Sequence, residues 1–404
     1  MIQRLILGLL LTFTFLGFSQ TQNYWVKKAD FGGLKRERAV AFSIGDFGYV
    51  GTGIDTNEVV HNDFWKYDPS LDSWTQVATL PGSVRRNAIA FAIHNKGYVG
   101  TGINTVSSSD FGATKLSDFW EYDPSTNSWL QRANYPGGSG NGVYFATGFS
   151  IDSKGYICGG KMGPNWYSNH LWEYKPSTNQ WTQLTNFPGG VRYQLSSLSI
   201  DYKGYVGLGT DNDLYRNDWW EFDASTNQWT QRSSLPASER ASAVTFTLGQ
   251  RGYVCMGTNG GLLDDLWEYD PFNDDWSVRA TYGGSRRKEA VAFSINNKGY
   301  VGTGKGNSGK KKSFHEYNPP ASIGLNENTI SFNVYPNPTS DYLFIETNDH
   351  TINRLEVFST TGTLIGSYKY ETMIDLTMLP KSTYLLIAVN SKGEIISKNQ
   401  LMKL

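Results

Sequence analysis

The chain has 404 residues, enough for more than one domain or for a large repeat array with a smaller module. Its 36 Lys and Arg nearly balance its 37 Asp and Glu, which excludes the strongly basic surface that nucleic acids require, so we expect no nucleic-acid partner. Aromatic residues are frequent (14%), charged residues are few (18%), and the 43 glycines are scattered along the chain. This composition is typical of many short strands and tight turns and predicts an all-β protein.

The first twenty residues have the pattern of a secretory signal peptide. Arg4 precedes an apolar run from Leu5 to Phe18, and small residues lie near the expected cleavage point. The run is short for a transmembrane helix and no second run follows, so we predict no transmembrane segment. We assign residues 1–20 to the signal peptide and expect the mature protein to leave the cytoplasm.

From residue 21 onward the sequence repeats about every 50 residues. Each repeat has an apolar stretch in which small and bulky residues alternate, such as residues 39–44, followed by a Gly-Tyr pair. The tyrosines of the six pairs are Tyr49, Tyr98, Tyr156, Tyr205, Tyr253 and Tyr300. A period of this length is typical of propeller blades or solenoid turns. The alternation predicts an inner strand that packs between neighbouring sheets converging on an axis.

Later in each repeat a Trp-x-Tyr-Asp segment leads into a turn and a second tryptophan, as at residues 65–74 and 120–129. Turns such as Asp-Pro-Ser-Thr-Asn suit this place, because proline presets φ for a type I turn and asparagine tolerates the left-handed position after it. The segment recurs five times, so we assign it to the scaffold of the blade. Four antiparallel strands per repeat predict a propeller blade.

The number of repeats predicts how the ring closes. The sixth repeat, residues 287–320, lacks the fourth-strand tryptophan, and residues 24–29 resemble the fourth strand around Trp74. An N-terminal strand that completes the last blade would close the circle and remove an exposed sheet edge. We therefore predict a six-bladed β-propeller within residues 21–320.

These residues resemble the kelch family of β-propellers, whose repeats join a glycine doublet, a tyrosine and a spaced tryptophan. The third repeat has the doublet, Gly159-Gly160, whereas four others have Gly-x-Gly, as at residues 51–53. Glycines still stand at the same strand end in each case. The resemblance implies a propeller fold, and propellers host many different functions.

The C-terminal part predicts a second module. After a polar linker at residues 321–330, alternating strands and turns over residues 331–404 indicate a small β-sandwich. The segment Tyr335-Pro336-Asn337-Pro338, with the near-terminal Lys403, resembles the sorting domains of type IX secretion. The resemblance implies recognition by the type IX secretion machinery. It also implies passage through the periplasm and outer membrane of a Gram-negative bacterium, to a secreted or cell-surface location.

Five of the six repeats carry an arginine thirteen residues before the marker tyrosine. They are Arg36, Arg85, Arg192, Arg240 and Arg287, and Val143 takes this place in the third repeat. At the entry to the inner strand they could ring one mouth of the channel and bind an anionic group through their guanidinium forks. The alternative, which their recurrence favours, is that each arginine binds carbonyls or an acid within the blades. Because Val143 interrupts the series, the neighbouring Tyr144 becomes a further candidate.

The loops between the second and third strands differ most from repeat to repeat, and we expect them to form the binding face. They carry aromatic candidates for stacking on a sugar or anchoring a protein, namely Trp166, Tyr167 and Tyr215. The alternative is that these rings only pack the loops onto the blade tops.

No catalytic residues are predicted. The five histidines fall in different elements, so we expect no metal site and no cofactor. The sequence favours a secreted binding protein with a glycan or protein ligand on the variable-loop face. The alternative is an enzyme that resembles the sialic acid mutarotases, which also use six kelch blades, with the arginines and Tyr144 as its site.

Overall fold

A computed structural model describes residues 23–105, 114–138, 142–211, 214–320, 333–346, 352–359, 364–371, 373–390 and 395–404. The predicted signal peptide and linker, together with parts of several loops, lie outside these ranges. The chain divides into two compact units, Thr21–Pro319 and a unit that contains Pro320–Leu404. Within the described ranges no helix is long and apolar enough to cross a membrane.

The first unit consists of six four-stranded antiparallel sheets, the blades of a propeller. Blades 1 to 3 are formed by Val40–Ile44, Phe47–Gly51, Phe64–Asp68 and Ser73–Val77; by Ile89–Ile93, Lys96–Gly100, Phe119–Asp123 and Ser128–Arg132; and by Thr147–Ile151, Lys154–Cys158, Leu171–Lys175 and Gln180–Gln183. Blades 4 to 6 are formed by Ser196–Ile200, Lys203–Gly207, Trp219–Asp223 and Gln228–Arg232; by Val244–Leu248, Arg251–Thr258, Leu262–Asp270 and Asp275–Arg279; and by Val291–Ile295, Lys298–Gly302, Phe314–Asn318 and Tyr24–Lys28.

The predicted six blades and their closure are confirmed. Tyr24–Lys28 pairs antiparallel with Phe314–Asn318 and becomes the outer strand of blade 6. The indole N–H of Trp25 donates to the carbonyl oxygen of Ala280 at 3.0 Å, as the corresponding tryptophans do in the other blades. The first strand of the propeller therefore joins the last blade, and this blade has no unpaired outer edge of its third strand.

The inner strands alternate as predicted. In blade 1, Val40, Phe42 and Ile44 are buried between blades, whereas Ala41 and Ser43 face the channel and are partly accessible. Small side chains are needed on that side because six strands converge there. The channel cavity is lined mostly by alanine, serine, threonine and glycine, together with a few larger residues such as Val40, Ile89 and Leu195.

The glycine of the Gly-Tyr pair makes room for the neighbouring blade. A Cβ at Gly97 would lie 2.3 Å from Cε2 of Phe42, which belongs to the inner strand of blade 1. The tyrosine that follows, Tyr98, donates its hydroxyl hydrogen to Oε2 of Glu121 at 2.8 Å within its own blade. This pair therefore serves blade packing.

The recurring aromatic turn also has a structural role. Asn127 adopts the left-handed conformation with φ of 48°, as predicted for the turn. Its Oδ1 accepts hydrogen bonds from the main-chain N–H of Ala78, at 2.9 Å, and from the hydroxyl of Tyr122, also at 2.9 Å. Trp129 donates to the carbonyl of Ala78 at 2.8 Å. Turn and tryptophan thus fasten blade 2 to the segment that leaves blade 1.

Short two-stranded ribbons extend the variable loops above the blades. They are Arg36–Glu37 with Ile54–Asp55, Lys161–Gly163 with Trp166–Tyr167, Thr210–Asp211 with Leu214–Tyr215, and Lys305–Gly306 with Gly309–Lys310. The two cysteines are not joined to each other. Cys158 and Cys255 are buried and free, and burial raises the pKa of the Cys158 thiol to about 12.

The second unit is a β-sandwich, as predicted. Asn333–Tyr335, Tyr342–Glu346 and Met373–Asp375 form one sheet, and Ile352–Ser359, Leu364–Lys369, Ser382–Asn390 and Ile395–Lys403 form the other. Side chains of both sheets, including Leu343, Leu355 and Leu386, share one core. Thr339, just after the Tyr-Pro-Asn-Pro segment, pairs with Lys403, so this segment is fixed to the last strand.

Candidate functional site

The five predicted arginines are buried inside the blades. Arg36, Arg85, Arg192, Arg240 and Arg287 are at most 2% exposed. In blade 2, Nη1 and Nη2 of Arg85 donate to the two carboxylate oxygens of Asp118 at 2.9 and 2.5 Å, and Nη1 also donates to the carbonyl of Thr101 at 3.2 Å. A guanidinium with these partners is held by its own blade and does not face the channel mouth.

The acid partner recurs with the arginine. Arg36 and Arg240 bind both carboxylate oxygens of Asp63 and Asp265 in the same way. Arg192 donates to Asp218 through Nη1 alone and to the carbonyl of Gly189 through Nη2, and Arg287 donates to Ser313 instead. In blade 3, where Val143 replaces the arginine, His170 occupies the place of the aspartate. This paired replacement favours the structural interpretation of the five arginines.

The residues that ring the mouth stand two positions after the arginines. Arg38, Asn87, Phe145, Gln194, Ser242 and Glu289 line one cavity at the entry to the inner strands. We call these six residues the mouth belt. An inner strand begins where the antiparallel second strand ends, so the mouth belt lies on the face that carries the variable loops.

The main chain joins the mouth belt into a closed circle. The N–H of each member donates to the carbonyl oxygen of the preceding member, at 2.9 to 3.3 Å, and Arg38 completes the circle by donating to Glu289. All six have positive φ, between 53° and 60°, which is uncommon for residues other than glycine. Six such conformations in one ring give every member of the mouth belt the same main-chain geometry at the mouth.

Sequence reasoning missed the mouth belt although a signal was present. Structural positions of the repeat carry the same residue type in most blades, whereas this position carries six different ones. Variation at a position whose main chain is identical in all blades is what a site adapted to a ligand would show. The arginines two residues earlier drew attention because they recur.

Side chains from different blades contact one another within the mouth belt. Arg38 Nε donates to Glu289 Oε2 at 2.9 Å, and the guanidinium lies 5.5 Å from the centre of the Phe145 ring. Gln194 Nε2 donates to Glu289 Oε1 at 3.4 Å. Burial and the nearby Glu289 carboxylate raise the pKa of the adjacent Glu37. The mouth thus combines an ion pair, an amide and an aromatic ring.

An aromatic cluster flanks the mouth belt at blades 3 and 4. Tyr167 and Tyr193 are stacked, with ring centres 5.0 Å apart and planes 20° from parallel. Lys161 Nζ lies 5.0 to 5.7 Å from the centres of the Tyr193, Tyr144 and Tyr167 rings. The Tyr193 ring continues to Phe145 of the mouth belt at 6.2 Å. Aromatic faces therefore run from the variable loop of blade 3 to the channel.

The aromatic candidates from the sequence fall into different environments. Tyr144 and Tyr167 join the cluster, although Tyr144 is only 1% exposed. Trp166 precedes Tyr167 in the ribbon of blade 3 and is 54% exposed. Tyr215 lies in the ribbon of blade 4, where its main chain pairs with Thr210. Tyr193 and Lys161 belong to the cluster but were not predicted.

No group of three or more His, Cys, Asp or Glu side chains in the described ranges could hold a metal ion. His61 instead contacts Asp55 at 3.1 Å, and His315 accepts from or donates to the hydroxyl of Tyr282 at 2.9 Å. These histidines have protein partners in separate blades.

Comparisons with known proteins agree with this architecture. Residues 141–304 match the family model described as the KLHDC2/KLHL20/DRC7 Kelch-repeats domain, and residues 333–402 match the Secretion system C-terminal sorting domain. No curated protein matches the chain. Among solved structures, one titled "Structure of YjhT" is 17% identical with a TM-score of 0.62, over 73% of this chain and 98% of that one. At this identity the likeness shows the fold.

The fold is thus that of a kelch-repeat β-propeller followed by a sorting domain. The sorting domain marks the protein for type IX secretion, so it is exported to the surface or the outside of a Gram-negative bacterium.

Proposed function

We propose that this secreted propeller binds a glycan at the channel mouth on its variable-loop face. The observation that carries the proposal is the stacked pair Tyr167 and Tyr193 with Lys161 among the rings, next to the mouth belt. Aromatic faces stack on the apolar faces of sugars, while polar groups beside them bind the hydroxyls. The aromatic cluster provides the stacking faces, and the amide and charged groups of the mouth belt provide the polar partners for the hydroxyls.

The position of the cluster supports the proposal. It lies in the blade where Val143 and His170 replace the arginine and aspartate found in most other blades. That exchange removes an ion pair from blade 3, the blade whose loop carries both Trp166 and Tyr167. A change confined to one blade is easier to explain by a ligand than by packing, because the other blades pack without it.

The alternative of an acidic-sugar enzyme depended on the five arginines as ligands for the anion. Their guanidinium groups bind partners within the blades, as Arg85 binds Asp118. The enzyme hypothesis therefore lacks the arginines that it needs to bind the anion. Its test is the anomerisation of sialic acid by the mature protein and by Arg192→Ala and Arg240→Ala. A rate above background that either substitution abolishes, in a variant that still folds, would restore the enzyme interpretation.

A glycan array probed with the full mature protein tests the proposal. We expect binding that Tyr167→Ala weakens about tenfold, since one aromatic contact of this kind is worth on the order of 1 kcal/mol or slightly more. Trp166→Ala should weaken binding as well if the ligand reaches the loop tip. The matched control is Tyr202→Ala, which removes an exposed tyrosine (66%) from a turn on the opposite face.

The pattern of outcomes separates the ligand classes. Binding lost in Tyr167→Ala but kept in Tyr202→Ala supports the proposal. An array without any bound glycan contradicts it and leaves the protein-ligand alternative. Equal loss in both variants would indicate a site elsewhere on the propeller.

A further inference from the structure

Asn87 of the mouth belt is a buried amide without a partner in the structure. It is 6% exposed, and neither Oδ1 nor Nδ2 has a hydrogen-bond partner among the residues that are described. On the opposite side of the mouth belt, the buried hydroxyl of Ser242 also has no hydrogen-bond partner among the described residues. Both side chains line the mouth cavity.

Such an arrangement is costly for a fold alone. A buried polar group without a partner costs about 1–3 kcal/mol, and native structures contain few of them. Asn87 also adopts φ of 56°, and its main-chain N–H donates to the carbonyl oxygen of Arg38, so the circle of main-chain bonds holds the backbone that carries the amide. Other repeats show that this position accepts entirely different side chains. An amide held in this way is suited to a partner from outside the chain.

The surroundings of Asn87 are apolar on the channel side. A second ring, one residue after the mouth belt, lines the same cavity with small side chains and one leucine, namely Ala39, Ala88, Ala146, Leu195, Ala243 and Ala290. The cavity therefore offers one amide donor and one amide acceptor beside a collar of methyl groups. A group that matches it has a carbonyl, an N–H and a methyl in one small plane.

We propose that Asn87 binds the acetamido group of a neutral N-acetylated amino sugar, an inference that rests on the glycan binding proposed above. Nδ2 donates to the acetamido carbonyl and Oδ1 accepts from its N–H, which satisfies both atoms of the asparagine. The acetamido methyl packs against the alanine collar. Phe145, the next member of the mouth belt, lies between this group and the stacked tyrosines, so the sugar ring extends toward the aromatic cluster.

The sugar is neutral for an electrostatic reason. Arg38, the cation of the mouth belt, is already paired with Glu289 at 2.9 Å and stands over Phe145. Binding an anionic sugar here would compete with that ion pair, whereas an acetamido group uses atoms that the fold leaves without partners. The inference therefore selects among glycans by their acetamido group.

Two pairs of sugars test the inference with the full mature protein. N-Acetylglucosamine and glucose differ at the acetamido group, as do N-acetylgalactosamine and galactose. By calorimetry we expect at least one acetamido sugar to bind about tenfold or more tightly than its hydroxyl counterpart, as two added hydrogen bonds predict. Saturation-transfer NMR should give the acetamido methyl the strongest signal of that sugar.

Asn87→Gly should abolish that preference while leaving the fold intact, because glycine adopts positive φ readily. The matched control is Asn297→Gly, the same exchange at φ of 57° in an exposed turn on the opposite face, which should keep the preference. Equal binding of both members of each pair, binding of none of the four sugars, or a preference that survives Asn87→Gly overturns the inference. Other glycans bound on the array through Tyr167 would then leave the proposed function standing.

Discussion

Arg38 and Glu289 are bonded twice across the junction of the first and last blades. The main-chain N–H of Arg38 donates to the carbonyl of Glu289 at 3.0 Å, and the side-chain Nε donates to Oε2 at 2.9 Å. The same junction is closed at the periphery by the strand Tyr24–Lys28. The ring is therefore closed near its axis by residues 251 positions apart in sequence, and at its periphery by strands from opposite ends of the propeller.

Replacement of Glu289 by alanine should weaken the contact between the first and last blades near the channel. The carboxylate is almost buried, at 4% side-chain exposure, and its loss removes one acceptor from the side chain of Arg38 and one from that of Gln194. Because Arg38 is itself partly exposed, we expect a loss of about 2–3 kcal/mol in the free energy of unfolding. Chemical denaturation measures it. The exposed Glu239→Ala should stay within about 0.5 kcal/mol of the wild type, and an equally small effect for Glu289→Ala would contradict the prediction.

Trp25→Ala should weaken the attachment of the N-terminal strand to blade 6. The indole packs edge-on against Tyr282 at 4.9 Å and against Tyr317 at 5.0 Å, besides its bond to Ala280. We expect a loss of about 3 kcal/mol or more in the free energy of unfolding, as for other packed tryptophans. Trp166→Ala, which removes a half-exposed tryptophan from a loop, is the matched control and should cost much less. Similar losses in the two variants would show that the N-terminal strand adds little to closure.

Sequence reasoning predicted the propeller because its evidence is repeated six times. Gly97 is needed because Phe42 of the neighbouring blade packs against it, and the equivalent glycine of each other blade meets the same requirement. The pattern therefore recurs often enough to be recognised in the sequence. The mouth belt lacks this advantage, since its members share a main-chain conformation and not a residue type. Asn87 and Phe145 occupy equivalent places but have nothing in common chemically. Only the structure shows that such residues converge on one cavity.

The arginines show how far a recurring position can be interpreted from sequence, because their recurrence favoured a role within the blades and their contacts agree with it. Their spacing predicted correctly that Arg85 stands just before an inner strand, but spacing does not give the direction of a side chain. The partner, Asp118, lies 33 residues away and was not connected with Arg85 in the sequence. The pairing of arginine with aspartate in four blades, and of valine with histidine in another, was available as a signal.

Arg85→Ala should therefore act on stability and not on ligand affinity. Asp118 would lose its bidentate partner in a largely buried place, and we expect a loss of about 3–4 kcal/mol in the free energy of unfolding. Arg286→Ala breaks the exposed pair with Asp264 and should cost less than about 1 kcal/mol. Glycan affinity of the folded fraction should be unchanged in both variants. A large affinity loss in Arg85→Ala at a temperature where it is fully folded would return the arginines to the binding site.

Removal of residues 331–404 should trap the propeller before it crosses the outer membrane. These residues include the sorting domain, whose match covers residues 333–402. Cell fractionation with an antibody against the propeller should find the truncated protein in the periplasm and the full-length protein at the surface or in the medium. Substitution of Trp166 by alanine in the full-length chain is the control for handling and should not change location. Normal appearance of the truncated protein outside the cell would refute the role of the sorting domain here.

His315 should make stability fall as the pH decreases from about 6.5 to about 4. Burial, together with the positive charges of Arg287 and Lys27, lowers the pKa of His315 from its usual 6.5 to about 4. Between these values the unfolded chain binds a proton that the folded protein does not, so acidification favours unfolding by at most about 1.4 kcal/mol per pH unit. Other blades carry tryptophan at this position, so His315→Trp should remove that part of the pH dependence. Denaturation curves at pH 7 and pH 4.5 measure the difference. An identical pH dependence in His315→Trp and wild type would contradict the prediction.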